Sequence, residues 1–321
     1  MRLEENAGVE RVAGRYRLIA LLGAGGMGRV YRAHDELLDR EVAVKCVRAP
    51  AVRDTVREAR AAARLDHPHV IRIFDVVQAD GRSWIIMEYV PSRSLHEVVS
   101  EGGPLTHRDA ARIGLAVLEA LEAAHAAGVV HRDVKPRNVL IAADGRVVLA
   151  DFGLAAVGAE PAGPGEPILG SPSYVAPEQL RRGVSGEPGD LWSLGATLYY
   201  AVEGRPPFAR PSVAESLSAL LSGPPDPPQR PGPLHSIITP LLTPDPDRRP
   251  SATDVRTALR DAMTRAIGVY AVPAPRRPAG GAVRFRPAAT RVPIRPDVHE
   301  VRAAGPGFLG RWCRLLVPGL S

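Results

Sequence analysis

A short polar run, HRDVKPRN at positions 131–138, is the part of this 321-residue chain best suited to chemistry. Asp133, Lys135 and Asn138 follow a predicted helix and precede a short predicted strand, in a loop where such polar density is not needed for packing. Asp133 can accept a proton from a hydroxyl group and orient it as a nucleophile. Lys135 can neutralise charge on a transferred group, and the side-chain oxygen of Asn138 suits a hard cation.

Asp151 is the second candidate cation ligand. It opens the segment DFG and is separated from Asn138 by a predicted hairpin around AADG. Magnesium is usually held by one or two protein oxygens, while phosphates and waters complete its octahedron. Asn138 and Asp151 together therefore predict a Mg²⁺ site that also needs phosphate.

Glycines 23, 25 and 28 form the pattern GAGGMG near the N-terminus. In a dinucleotide-binding fold this pattern should open a helix, but here a strand-like run follows it. Glycines between two strands let the backbone approach phosphates without an intervening Cβ. The alternative, an ordinary glycine-rich hairpin, stays open on this motif alone.

Lysine is rare in this chain, since 39 of the 41 basic side chains are arginine and only Lys45 and Lys135 are lysine. Lysine is a slim point charge and arginine a planar fork, so the two are not interchangeable at a tight phosphate site. Lys45 lies in the strand-like run VAVK, and a buried lysine needs an anionic partner. Glu58 or phosphate oxygens could supply it; the alternative is a lysine whose amine reaches solvent.

The elements that must position these residues change in character near Pro91. Before it, alternating apolar residues predict antiparallel strands at 16–22, 29–35, 41–47, 71–77 and 83–89. One helix is predicted over 53–65, ended by His67-Pro68.

After Pro91 the pattern is mainly helical. Residues 106–127 predict a long helix, capped by Thr106 and stopped by Gly128. Two short strands at 139–141 and 146–149 flank AADG, and helical segments separated by Pro-rich loops follow residue 185. The sequence thus predicts a small, mainly β part before a larger, mainly α part.

These motifs together resemble the eukaryotic-type protein Ser/Thr kinase family, most closely its bacterial members, over roughly residues 14–265. Six motifs occur in the family's order: GAGGMGRV, VAVK, HRDVKPRN, DFG, YVAPE from Tyr174 and DLWSLG from Asp190. The resemblance implies an α+β fold with two lobes and an enzyme that transfers the γ-phosphoryl group of ATP to protein Ser/Thr hydroxyls, including its own.

The resemblance also implies residue roles. Lys45 would hold the α- and β-phosphates and pair with Glu58, Asp133 would be the catalytic base, and Lys135 would act beside it. Asn138 and Asp151 would bind Mg²⁺, with Mn²⁺ possible instead. The nucleotide would contact Leu22, Gly23, Gly25, Gly28, Val30, Ala43, Lys45, Met87, Glu88, Val90 and Leu140. Met87 would border the adenine pocket, and the Glu88 carbonyl and Val90 N–H would meet the adenine edge.

Two further pairings implied by the resemblance are structural. Glu178 and Arg249 would form a buried ion pair, and Asp190 would brace the backbone of the catalytic loop. The predicted domains are an N-terminal extension (1–13), a kinase domain (14–265, divided into lobes 14–90 and 91–265) and a disordered tail rich in Pro and Arg (266–321).

The sequence departs from the family in its activation loop. In this family the arginine at the position of Arg132 commonly binds the phosphate of a phosphorylated activation loop. Residues 154–170 nevertheless contain no Ser, Thr or Tyr. The hypothesis is that no phosphate switches the middle of this loop. Glu160 or Glu166 would partly satisfy Arg132, or Ser171 or Ser173 would be autophosphorylated; the alternative is a loop without regulatory meaning.

The positive charge belongs to the tail. The whole chain carries +6, and nine arginines lie in residues 271–321 against Asp297 and Glu300. A nucleic-acid-binding function for the whole protein therefore loses its basis, and no platform of aromatic and basic residues supports one. Residues 307–320 have an apolar helical face beside arginines, which suits peripheral membrane contact; a solvated or partner-docking tail is favoured instead.

Cysteine usage and hydropathy predict a cytoplasmic protein. Two cysteines cannot build a disulfide framework. No apolar run reaches the ~18 residues of a membrane span, and the acidic N-terminus is not a secretory signal. The alternative to an active kinase is a pseudokinase that binds nucleotide and partners without transfer, although all five residues of the catalytic set are present. Substrates, activating signal and oligomeric state are not readable from the sequence.

Overall fold

The computed structural model describes residues 11–25, 28–47, 59–152, 172–184 and 186–268. Their first part is a six-stranded antiparallel sheet in the order β1-β2-β3-β4-β6-β5. Its strands are β1 (Arg11–Val12), β2 (Tyr16–Gly25), β3 (Gly28–Asp35), β4 (Arg40–Val47), β5 (Ile73–Ala79) and β6 (Arg82–Glu88). The strands predicted before residue 91 are confirmed.

Strand β4 is central to this sheet and is buried on both faces. Because successive side chains point to opposite faces, Val42 and Val44 pack in one apolar cluster with Trp84 and Ile86. Ala43 and Lys45 point to the other face, where Ala43 joins a second cluster that includes residues of the larger lobe. This alternation places Lys45 in the cleft between the lobes.

The hairpin predicted around Asp80-Gly81 is confirmed. Both residues have positive φ, 51° and 68°, as a two-residue turn matched to the strand twist requires. The helix predicted over 53–65 ends earlier than predicted. Its described part, α1, covers residues 59–62. A turn follows because the N–H groups of Arg64 and Leu65 bond three residues back, to Ala61 and Ala62. Residues 48–58, including Glu58, lie outside the described residues.

The larger lobe begins with a three-stranded sheet of β7 (Ser92–Ser94), β8 (Val139–Ala142) and β9 (Val147–Leu149). Its described helices after α1 are α2 (Leu95–Gly102), α3 (His107–Ala126), α4 (Pro177–Arg182), α5 (Glu187–Glu203), α6 (Val213–Ser222), α7 (His235–Leu241) and α8 (Ala252–Gly268). Short 3₁₀ turns lie at Pro172–Tyr174 and Pro246–Arg248. Helix α8 continues three residues past the domain boundary predicted at 265.

Helix α3 has the ends that the sequence predicts. The Thr106 side chain accepts a hydrogen bond from the Asp109 N–H, and Gly128 follows the helix with φ of 72°. Such a cap satisfies one of the N–H groups that a helix leaves unpaired. The helix therefore begins and ends at defined residues, and the loop that carries Asp133 follows its C-terminal end.

Helix α5 is the buried centre of the larger lobe, with every residue from Gly189 to Glu203 buried. Its close packing depends on small residues: a Cβ on Gly195 would lie 2.7 Å from the Leu241 Cβ, and one on Gly114 of α3 would lie 2.7 Å from Leu198 Cδ2. Within the described part of the chain, no helix is both long and apolar enough to cross a membrane. The predictions made for residues 1–10 and 269–321 concern segments outside the described residues.

Candidate active site

The loop between α3 and β8 brings the three predicted polar residues together. Lys135 Nζ lies 2.7 Å from Asp133 Oδ2. The Asn138 amide donates to the same oxygen at 3.0 Å and to the Asp133 carbonyl at 2.8 Å. This leaves the Asn138 side-chain oxygen as the group able to coordinate a cation. The amine of Lys135 and the amide of Asn138 therefore both lie within hydrogen-bonding distance of the Asp133 carboxylate.

His131 stabilises this loop through two hydrogen bonds of its ring, a role that the sequence did not reveal. Its Nδ1 accepts from the Asp133 N–H at 3.2 Å, and its Nε2 lies 3.0 Å from the Ala150 carbonyl. These partners require one acceptor and one donor nitrogen, which is the neutral ring. Burial lowers the pKa of His131 despite the carboxylates nearby. A neutral, buried histidine therefore ties Asp133 to the residue before Asp151.

Asp190 of α5 braces the same loop, as predicted. Its carboxylate accepts from the backbone N–H groups of His131 and Arg132, both at 2.8 Å, and lies 2.8 Å from His125 Nε2. Its side chain is 1% exposed. The His125 contact has no signal in the sequence, because nothing in the spacing of α3 marks a histidine in its last turn as a partner of α5.

Lys45 and Asp151 face each other across the cleft. Lys45 Nζ lies 2.9 Å from Asp151 Oδ1, and the lysine side chain is 3% exposed. Burial raises the pKa of Asp151, but the charge and the close polar contact of Lys45, together with the charge of Lys135, outweigh it and hold the pKa of Asp151 below its usual value. Within the described residues Lys45 Nζ makes no well-directed hydrogen bond. This buried amine therefore fits additional anionic oxygens, such as those of a phosphate.

The predicted cation ligands are connected through the backbone. The Ala150 N–H donates to the Asn138 carbonyl at 2.9 Å, so Asn138 and Asp151 sit on segments that are bonded to each other. Across the described ranges no group of three or more His, Cys, Asp or Glu side chains could hold a metal. A cation here would need oxygens from a bound molecule, which suits Mg²⁺ and phosphates.

Most of the residues predicted to enclose adenine share one apolar cluster between the lobes. Ala43, Met87 and Val90 are buried members of it, and Val30 and Leu140 pack against it. Leu22, in contrast, is 47% exposed on β2. The side chain of Glu88 forms an ion pair with Arg146, with Arg146 Nη2 lying 2.5 Å from Glu88 Oε1. The cluster supplies an apolar surface between the lobes, and Leu22 is not part of it.

Gly23 and Gly28 of the glycine motif differ in the space that a side chain would have. Gly28 pairs with Gly25 where β2 and β3 meet. Its φ is 138°, and a Cβ there would lie 1.9 Å from the Cys46 carbonyl oxygen. A Cβ on Gly23, by comparison, would meet nothing within 4 Å. The close approach of β4 and the positive φ explain Gly28, whereas at Gly23 the described residues leave room for a side chain.

The predicted ion pair of Glu178 and Arg249 is present and buried. The two guanidinium nitrogens Nη1 and Nη2 each lie 2.7 Å from a different oxygen of Glu178. Arg249 also donates to the carbonyls of Thr243 and Pro188, and its side chain is 1% exposed. The pair ties α4, which follows the segment around Ser173, to the loop before α8.

Comparison with known proteins agrees with this geometry. The model of the protein kinase domain family matches residues 16–258, and the chain belongs to that family. It is 35% identical over 267 residues to the serine/threonine-protein kinase PrkC of Bacillus subtilis, covering 79% of this chain and 41% of the relative. It is 34% identical over 320 residues to the serine/threonine-protein kinase pkn3 of Myxococcus xanthus, covering 92% and 58%.

The chain therefore spans less than two thirds of the length of these two relatives. The match covers both lobes, from β2 into α8. The family uses ATP and a divalent cation, and the two-lobed architecture predicted from the motifs is confirmed.

Proposed function

We propose that this chain is an active serine/threonine protein kinase. The observation that carries the proposal is the convergence of Lys135 and Asn138 on Asp133 while Lys45 meets Asp151. This convergence supports roles for these side chains as base, cation ligand and positive charge in phosphoryl transfer. The names of the relatives, both serine/threonine-protein kinases, support the same conclusion.

Asp133 is the proposed base. It accepts the proton of a Ser or Thr hydroxyl as the oxygen forms a bond to the γ-phosphorus and the bond to the β-phosphate oxygen breaks, releasing ADP. Lys135, 2.7 Å from Asp133, stabilises negative charge on the transferred group. His131 and Asp190 hold the backbone of this loop, so the base needs no reorganisation when the acceptor arrives.

Lys45, Asn138 and Asp151 are the proposed phosphate and cation ligands. Their fit rests on the buried Lys45 amine and on the small number of carboxylates among the described residues, so a cation here would also use phosphate oxygens and water. When bound, Mg²⁺ neutralises phosphate charge, and Mn²⁺, which has similar oxygen ligands, is expected to substitute. The Lys45–Glu58 pair lies outside the described residues and stays a prediction, as does a cytoplasmic location.

The apolar cluster of Val30, Ala43, Met87, Val90 and Leu140 is the proposed adenine site. Leu22, Gly23, Gly25 and Gly28 form the proposed cover over the phosphates, and the backbones of Glu88 and Val90 the proposed hydrogen-bonding edge. Support comes from the shared cluster and from the open space at Gly23.

The test is incubation of the purified chain with ATP and Mg²⁺, beside Asp133→Asn, followed by intact mass and phosphosite mapping. We expect phosphate on the parent chain alone, and the mapping tests whether Ser171 or Ser173 carries it. A basic protein substrate is included in both arms, so transfer to another protein is seen even without autophosphorylation. Nucleotide binding by both proteins without any transfer would contradict the proposal and favour the scaffold alternative.

A further inference from the structure

We propose that Arg137 selects acceptor segments that carry an acidic side chain close to the phosphorylated hydroxyl. This inference rests on the proposed function and names the substrate class of the same site. It is carried by the placement of one exposed arginine in the catalytic loop, by the neutral side chain that holds it, and by the absence of a carboxylate beside it in the described structure.

Arg137 is next in sequence to a residue of the proposed catalytic machinery. It is exposed and directly precedes Asn138, whose amide is 3.0 Å from Asp133 Oδ2. An acceptor hydroxyl has to come within hydrogen-bonding distance of Asp133. Because neighbouring residues in an extended segment are only ~3.3 Å apart, the residues flanking that hydroxyl come within reach of the Arg137 side chain.

The guanidinium group is positioned by a chain of side chains from the core. Arg137 Nη2 lies 2.9 Å from His96 Nε2. Since arginine only donates, this histidine nitrogen is the acceptor and Nδ1 carries the hydrogen. Nδ1 is 3.0 Å from the hydroxyl of Tyr200, and the two rings stack at a centroid distance of 5.8 Å. Tyr200 belongs to the buried helix α5, so the arginine is anchored to the centre of the lobe.

The partner holds Arg137 without neutralising it. Burial and the adjacent guanidinium both lower the pKa of His96, so the ring is neutral at pH 7. The acidic residues of α2 are engaged elsewhere: Glu97 accepts from the Ser94 N–H and hydroxyl, and Glu101 pairs with Arg93.

No carboxylate within the described residues forms an ion pair with Arg137. A fixed guanidinium with donors to spare is the group that best binds a carboxylate in two-point fashion. The geometry therefore favours an acidic residue on the acceptor segment and disfavours a basic one.

The test is a positional scan with the full chain. Peptides contain a single Ser in a polyalanine segment, with one Glu or one Arg placed at each position from three before to three after the Ser. Initial rates are measured for the parent, Arg137→Glu and Arg260→Glu. Arg260 is an exposed residue of α8, so its variant carries the same change in charge away from the catalytic loop.

We expect the parent and Arg260→Glu to prefer Glu over Arg at one or more positions, by about fivefold, the scale of an exposed ion pair. Arg137→Glu is expected to reverse the preference at that same position. A parent that shows no preference or prefers Arg, or a preference unchanged in Arg137→Glu, would overturn the proposal.

A binding measurement separates this proposal from the proposed function. Fluorescence anisotropy of the same labelled peptides with Asp133→Asn reports preference without transfer. Tighter binding of the Glu peptide, reversed when Arg137→Glu is added, supports acidic selection even if no transfer occurs. Equal binding of Glu and Arg peptides would contradict it, whatever the catalytic result.

Discussion

The carboxylate of Asp190 lies 2.8 Å from the backbone nitrogen of Arg132, a residue held at a positive φ of 68°. A left-handed conformation is costly for a residue with a Cβ and persists where surrounding contacts enforce it. Asp190 supplies that enforcement, because it binds the N–H of His131 at the same time. The backbone bend that presents Asp133 is therefore maintained from α5.

Replacing the Asp190 carboxylate should weaken this bend. In Asp190→Asn one backbone N–H loses its acceptor and meets an amide donor. We expect a loss of about 1.5–3 kcal/mol in unfolding free energy and a fall in kcat, measured by urea unfolding and by phosphate transfer. The matched control is His125→Gln, which can still donate to Asp190 and is expected to stay close to the parent in both measurements.

Alanine variants of the motif glycines can distinguish a nucleotide-binding loop from an ordinary glycine-rich hairpin. Gly28→Ala should lower Tm, because its Cβ would strike the Cys46 carbonyl. Gly23→Ala should leave Tm unchanged. If a backbone–phosphate hydrogen bond of about 1 kcal/mol is lost there, KM for ATP rises about fivefold. An unchanged KM in a folded Gly23→Ala protein would contradict a contact between the phosphates and the Gly23 backbone.

The buried pair of Glu178 and Arg249 should behave as a unit. Removing one partner leaves an uncompensated buried charge, which costs about 3–5 kcal/mol. We expect Glu178→Gln and Arg249→Met to destabilise to this degree in urea unfolding, and the double variant to lose less than the sum of the two. Additive losses would mean that the two side chains contribute independently.

Histidines should make the protein less stable as the pH falls below neutrality. Burial lowers the pKa of His107, which faces His235, Glu203 and the Arg230 carbonyl. A folded-state pKa below 6.5 means that the unfolded chain takes up the proton first, so stability declines as pH falls from about 6.5. The carboxylates with lowered pKa, such as Asp226, act only at more acidic pH.

His107→Gln keeps an N–H donor for the Arg230 carbonyl but cannot be protonated. We therefore expect its Tm to fall about 1–3 °C less than that of the parent between pH 7.5 and pH 5.5. Thermal unfolding over this range provides the measurement. An identical decline in both proteins would assign the pH dependence to other groups, of which the neutral His131 is the first to examine by NMR titration.

Local patterns predicted most strands of the small lobe and the helix α3, because each was encoded by its own segment. Strands β2 to β6 follow from alternation, and α3 follows from its apolar spacing and its cap at Thr106. The residues of HRDVKPRN were identifiable since their types and spacing occur within one loop. The predicted Glu178–Arg249 pair required the family resemblance, because 71 residues separate its members.

The contacts that the sequence did not predict join distant segments through single side chains. His96 and Tyr200 are 104 residues apart, and neither is unusual in its own helix. His131 was within a quoted motif, but its neutral state depends on burial beneath Ala150. Such contacts depend on how the two sheets and α5 pack, which local spacing does not specify.

The rarity of lysine has a practical consequence for chemical labelling. Apart from the terminal amine, the chain has only two primary amines, on Lys45 and Lys135, and these lie beside Asp151 and Asp133. An amine-directed acylating reagent therefore has only the terminal amine and these two amines of the candidate active site as targets, with no background from surface lysines. Protection of either amine by a bound molecule can be read from the mass of the intact chain.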